Sequence, residues 1–115
     1  MQALMRVTSE FFIAALIRRV FSSGGFAAVE RKGAAEAGAI FIRQRFRDGF
    51  ETLHAPAPQS VFDESRPDDR RFEARLHKAE PDAVGDIINR EAKFDPDLWV
   101  VELEVDQIGD LLGMA

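Results

Sequence analysis

The chain contains no cysteine, no tyrosine and only one tryptophan. Without cysteine there is no disulfide framework, no thiolate nucleophile and no cysteine-based zinc site. That composition fits a reducing compartment. With ten phenylalanines and no tyrosine, the aromatic set lacks polar handles and suits an interior better than a recognition surface. Long apolar runs are missing too. Phe11 to Ile17 is far short of the ~20 residues that a membrane span needs. Glu10 precedes this run and Arg18-Arg19 follow it, the reverse of the charge order in a secretory signal. The chain is therefore expected to be cytoplasmic, with no membrane association. Net positive charge is also lacking: the formal charge is −5 and the pI is near 5.0. Broad, non-specific binding to nucleic acid or anionic lipid is disfavoured, although a local basic patch remains compatible with that total.

What is present describes a globular protein. At 115 residues, 46% apolar and 30% charged, the chain is expected to form a single domain over residues 1–115. A domain of this size buries roughly two-thirds of the surface that its unfolded chain exposes. Thr8-Ser9-Glu10 offers a helix N-cap, and Phe12, Ile13, Leu16, Ile17, Val20 and Phe21 share one helical face. Ser22-Ser23-Gly24-Gly25 closes that helix with a glycine cap. Phe26 to Lys32, Ala39 to Phe46 and Phe50 to Ala55 read as strands, the last two joined by the Asp48-Gly49 turn. Residues 56–69 read as an exposed loop, rich in proline, serine and acids. Arg70 to Lys78 alternates, with Phe72, Ala74 and Leu76 on one side and Arg71, Glu73, Arg75 and His77 on the other. Glu80-Pro81-Asp82 opens a second helix, which Pro96 forces to end by Asp95. Trp99, Val101, Leu103 and Val105 line one face of a final strand, with Leu98 and Val100 opposite. Ile108, Leu111 and Leu112 follow as a short docking helix or a frayed end. The expected fold is α+β, in the order α-β-β-β-β-α-β. Its antiparallel sheet has about five strands, with the two main helices packed on one face.

Four blocks carry a family likeness. Arg6-Val7-Thr8-Ser9-Glu10-Phe11, Gly24-Gly25-Phe26-Ala27, Ala55-Pro56-Ala57-Pro58-Gln59 and Phe94-Asp95-Pro96-Asp97-Leu98-Trp99-Val100-Val101-Glu102 span nearly the whole chain. Together they resemble an uncharacterised alphaproteobacterial family, the domain of unknown function DUF1491. The resemblance implies a single bacterial domain. It transfers no activity, ligand or catalytic residue.

Signatures of chemistry are sparse. His54 and His77 are the natural acid–base candidates because imidazole titrates near neutrality. Neither has a second histidine or a cysteine at helical or strand spacing, and both read as surface residues. Ser22 and Ser23 sit at the negative end of a helix, where an oxyanion is disfavoured, and no Gly-x-Ser-x-Gly elbow exists. The same polarity weakens Gly24-Gly25 as a phosphate cradle. Neither Gly-x-Gly-x-x-Gly nor a Walker-type loop occurs. Asp63, Glu64, Asp68 and Asp69 lack calcium-loop spacing and read as solvated loop acids. No cofactor and no metal site is expected. Trp99 reads as core.

The arginines are the best binding candidates. Arg43, Arg45 and Arg47 alternate along the second strand and its turn, while Arg71 and Arg75 share a face of the fourth, with Arg66 and Arg70 nearby. If those strands are neighbours, five guanidiniums line one sheet surface of an acidic protein, a concentration of charge suited to a partner. The competing reading pairs them with Glu30, Glu51 and Glu73 across the sheet. The function expected is a small non-enzymatic accessory domain that binds another protein through the arginine-bearing face; the open sheet face and any unpaired edge strand also invite a homodimer. The alternative is RNA binding by the same face, with Phe41 stacking on bases. A small hydrolase or transferase using the loop acids and a histidine is the least supported reading.

Overall fold

The computed structural model describes residues 7–58 and 70–115. Its first element, α1, runs over Ser9–Ser22. The Thr8 hydroxyl accepts the Phe11 N–H at 3.2 Å, satisfying one of the donors that a helix start leaves open. Ser9 is buried, and its hydroxyl donates to the Gly38 carbonyl. At the other end Gly24 takes φ +90°. The Gly25 N–H bonds to the Val20 carbonyl and the Gly24 N–H to that of Phe21, the paired closure in which glycine tolerates the left-handed position at no cost.

Six strands and a second helix follow among the described residues: β1 (Phe26–Arg31), β2 (Ile40–Arg45), β3 (Glu51–Pro56), β4 (Arg71–Ala79), α2 (Pro81–Phe94), β5 (Trp99–Glu104) and β6 (Gly113–Met114). Their order in the sheet is β1-β5-β2-β3-β4-β6. The β2-β3-β4 meander is antiparallel as expected. The sheet as a whole is not. β5 inserts between β1 and β2, parallel to β2, and β6 runs parallel to β4. The mixed sheet therefore corrects the purely antiparallel one. The physical reason lies in β5 itself: Trp99, Val100 and Val101 are all buried, and a strand apolar on both faces belongs in a sheet interior, not at its rim.

The helices also differ from expectation. Ile13, Leu16 and Val20 of α1 pack in one cluster with Ile40, Ile42, Trp99, Val101 and Leu103. Val84 and Ile88 of α2 pack in another with Phe41, Leu53, Leu98 and Val100. Neighbouring strand residues point to opposite faces, so each face of the sheet carries its own helix; the two do not share one. The tail closes the α1 side. Leu112 is buried there, Ile108 and Leu111 pack against the same cluster, and the chain ends as β6, not as a helix.

Register shifts interrupt β4 where it pairs with β3. Leu53 lies opposite Leu76 and His54 opposite Ala74, which leaves Arg75 as an extra residue. A bulge of this kind reverses which side chains face which way. Leu76 accordingly packs with the α2 cluster, while Phe72 belongs to the α1 cluster. The simple alternation read from residues 70–78 breaks at that point.

Candidate functional site

Three places hold the chemistry-bearing side chains, and the arginine set comes first. β3 separates β2 from β4, so the neighbouring strands assumed for a five-arginine surface are not neighbours. Arg43 is enclosed. Its Nε donates to Glu51 Oε1 at 2.6 Å, one terminal nitrogen to Glu30 Oε2 at 2.9 Å and the other to the Pro81 carbonyl at 3.1 Å. Burial works against the Arg43 charge, but the Glu51 and Glu30 carboxylates outweigh it and hold the guanidinium above its ordinary pKa. Arg43 thus ties the start of α2 to the sheet. Arg45 lies 3.3 Å from Glu51 Oε2, close enough for an ion pair but without hydrogen-bond alignment, and 3.9 Å from Glu102. Arg75 reaches Glu91 of α2 at 2.6 Å. Glu30 and Glu51 are the carboxylates that the cross-sheet pairing named.

Arg47 stands apart. It is exposed in the β2–β3 turn and has no ion-pair partner among the described residues. With Arg45, Phe26 and Phe46 it lines a groove of about 800 Å³ at the end of the sheet, whose lining also includes Glu104, between Phe26 and Arg45, and Asp106. Arg71 lies on β4 and does not line this groove. Arg66 and the acids Asp63, Glu64, Asp68 and Asp69 fall outside the described residues.

The histidines form the third place. His54 is not a surface residue: it is 5% exposed, on the α1 side of β3. Gln44, also buried, donates its side-chain amide to the Val105 carbonyl at 2.9 Å, which turns its oxygen toward His54 Nε2, 2.9 Å away. That oxygen can only accept, so Nε2 carries the proton and Nδ1 is left as a buried lone pair without a partner. Burial, with a smaller contribution from a charged His77, pushes the His54 pKa down to about 4. His77 shares with His54 a cavity of about 420 Å³, whose walls include Thr52, Lys78 and Asp106. Lys78 has φ +50°, an uncommon conformation for a side-chain-bearing residue. Its N–H bonds to the Thr52 hydroxyl and its Nζ to Asp48. No group of three or more metal-binding side chains occurs among the described residues. His54 was missed as a buried group, yet a signal existed: Ile40, Ile42 and Gln44 have one parity, and a polar residue on that apolar side needs a buried partner.

Fold and side chains together define a small α+β domain: a mixed six-stranded sheet with one helix on each face, and no group of three or more metal-binding side chains among the described residues. The chain belongs to the family described as "Protein of unknown function (DUF1491)", whose family model matches residues 7–113. It is similar to a protein from A. tumefaciens solved in solution, at 57% identity, with 96% of each chain covered and a TM-score of 0.85. A DUF1491 family protein from Caulobacter crescentus is 30% identical; its crystal structure matches with a TM-score of 0.77, covering 96% of this chain and 99% of that one. The solution structure of a DUF1491 family protein from the same organism gives 0.78 at the same identity. No curated protein matches.

Proposed function

We propose that the chain is a non-enzymatic accessory domain that binds another protein, with the contact centred on Arg45 and Arg47 of the original five arginines. The observation that carries this reading is Arg47: exposed, without an ion-pair partner among the described residues, and lining the same groove as Phe26 at the sheet end. Arginine and aromatic side chains dominate the energetics of protein contacts. The groove sets Arg45 and Arg47 among Glu104 and Asp106, which suits a segment of mixed charge that carries one apolar anchor. Arg43 and Arg75 hold α2 in place within this reading. RNA is less well served, because Phe41 packs in the α2 cluster and offers no stacking face. The cysteine-free composition fits a reducing cytoplasm, and no helix among the described residues is long and apolar enough to cross a membrane.

The test is affinity purification from the cells that produce the protein, comparing wild type with Arg45→Glu/Arg47→Glu, with and without nuclease. A protein retained by wild type and lost by the variant is then purified and titrated directly, and its affinity should fall with added salt. Equal retention by both forms sinks the reading. Loss on nuclease treatment transfers it to nucleic acid.

A further inference from the structure

We infer that the outer face of α1 is a self-association surface on which the same helix of a second copy docks in the antiparallel sense. Phe11 and Phe21 are 61% and 52% exposed, although the helix has a well-filled inner face. With Ala14 and Arg18 they fall at i, i+3, i+7 and i+10, one stripe along the side opposite Ile13, Leu16 and Val20. Phe21 also meets the exposed Phe26 edge to face, which extends the apolar surface onto β1. Beside the stripe runs a groove of about 650 Å³ between α1 and Leu111. Exposed large apolar side chains in one patch mark a contact, whereas single ones need no explanation.

Charge selects the occupant. Glu10 lies at the start of the helix and Arg18 near its end; both are exposed, and neither has an ion-pair partner among the described residues. Arg19, by contrast, is engaged with Asp110 and the tail carbonyls. Glu10 and Arg18 are about 12 Å apart along the axis at 1.5 Å per residue. An antiparallel partner crossing near Ala14 sets each Glu10 against the other copy's Arg18, at both ends of one two-fold contact. The small Ala14 and Ala15 allow close approach, and Phe11 lies over the facing helix, while Phe21 reaches just past its first residue. A patch with opposite charges at its two ends and apolar residues between is complementary to itself, as a two-fold interface requires. A single 14-residue helix buries less than the ~800 Å² per partner of a standard interface, so the dimer is weak and concentration-dependent. This surface meets the groove holding Arg47 at Phe26, but Glu10, Phe11 and Arg18 do not line that groove, so substitutions there leave that reading untouched.

Sedimentation velocity over about a hundredfold range of protein concentration tests it. Wild type should pass from monomer to dimer, and Phe11→Glu should remain monomeric. Glu10→Arg and Arg18→Glu should each weaken association by about tenfold. The double variant should recover it, because the exchanged charges still meet across the two-fold axis. All these positions are exposed, and a thermal melt of each variant confirms that it folds. A wild type that stays monomeric throughout overturns the inference, as does a double variant no better than the singles.

Discussion

Arg43 and Glu51 form a charge-assisted hydrogen bond of 2.6 Å with little solvent around it: their side chains are 12% and 5% exposed. One residue comes from β2 and the other from β3, and Arg43 continues to Glu30 and to the first carbonyl of α2. The pair joins the strands and the helix on the α2 side of the sheet.

Removing one partner of such a pair leaves the other charge buried. Arg43→Ala is expected to lower stability by about 3 kcal/mol in urea unfolding, and Arg43→Met/Glu51→Leu to recover much of that loss. A loss below about 0.5 kcal/mol would instead place the pair with ordinary surface ion pairs.

This pair also shows where the sequence was legible. Alternation along β2 announced that Arg43 and Arg45 share a face, and Glu30 and Glu51 were recognisable partners. Helix α1, with its Thr8 cap and glycine closure, was equally plain, because caps and periodicity are local. Strand order was not. Nothing local to Phe26–Arg31 or Ile40–Arg45 states that β5 will come between them; only the two-faced apolar start of β5 points to an interior strand. The β4 bulge was hidden for a related reason. An extra residue such as Arg75 is defined by its pairing with β3, and pairing is a long-range property.

His54 makes stability depend on pH. In the unfolded chain its imidazole titrates near 6.5, whereas in the fold its pKa is about 4. Below pH 6.5 the unfolded chain takes up a proton that the folded chain refuses, so acid favours unfolding. Stability should be flat above pH 6.5 and decline between 6.5 and 4, with a total loss on the order of 3 kcal/mol from this group. Urea titrations at successive pH values measure the slope, and His54→Gln should remove most of it. A wild-type slope unchanged by that substitution would assign the effect to the carboxylates.

Two glycines should respond differently to alanine. A Cβ on Gly33 would fall onto the Asp97 carbonyl, within 2.6 Å of the Leu98 carbonyl carbon. Neither backbone group can move without disturbing the entry to β5. Gly33→Ala is expected to cost at least about 2 kcal/mol as an overpacked contact. Gly49, at φ +91°, has open space around it, so Gly49→Ala carries only the left-handed strain of roughly 1–2 kcal/mol. Thermal melts of the two variants should separate them, and the reverse order would contradict the packing of the Gly33 loop against the 95–98 turn.

Trp99 couples that loop to the core. Its ring is 3% exposed within the α1 cluster. Its indole N–H donates to the Ala34 carbonyl at 2.7 Å, while its backbone N–H donates to the Ala39 carbonyl. The side chain therefore fills the core and also anchors the segment between β1 and β2. Trp99→Ala should cost about 3–5 kcal/mol through lost packing and the cavity left behind. Trp99→Phe keeps most of the apolar area and leaves the Ala34 carbonyl without its donor, a penalty of about 1–3 kcal/mol. Hydrogen exchange distinguishes the two contributions. In Trp99→Phe the added exchange should be confined to amides of residues 32–39, whereas in Trp99→Ala it should spread through β2 and β5. Uniform protection loss in Trp99→Phe would show that the indole hydrogen bond supports the whole sheet and not this loop alone.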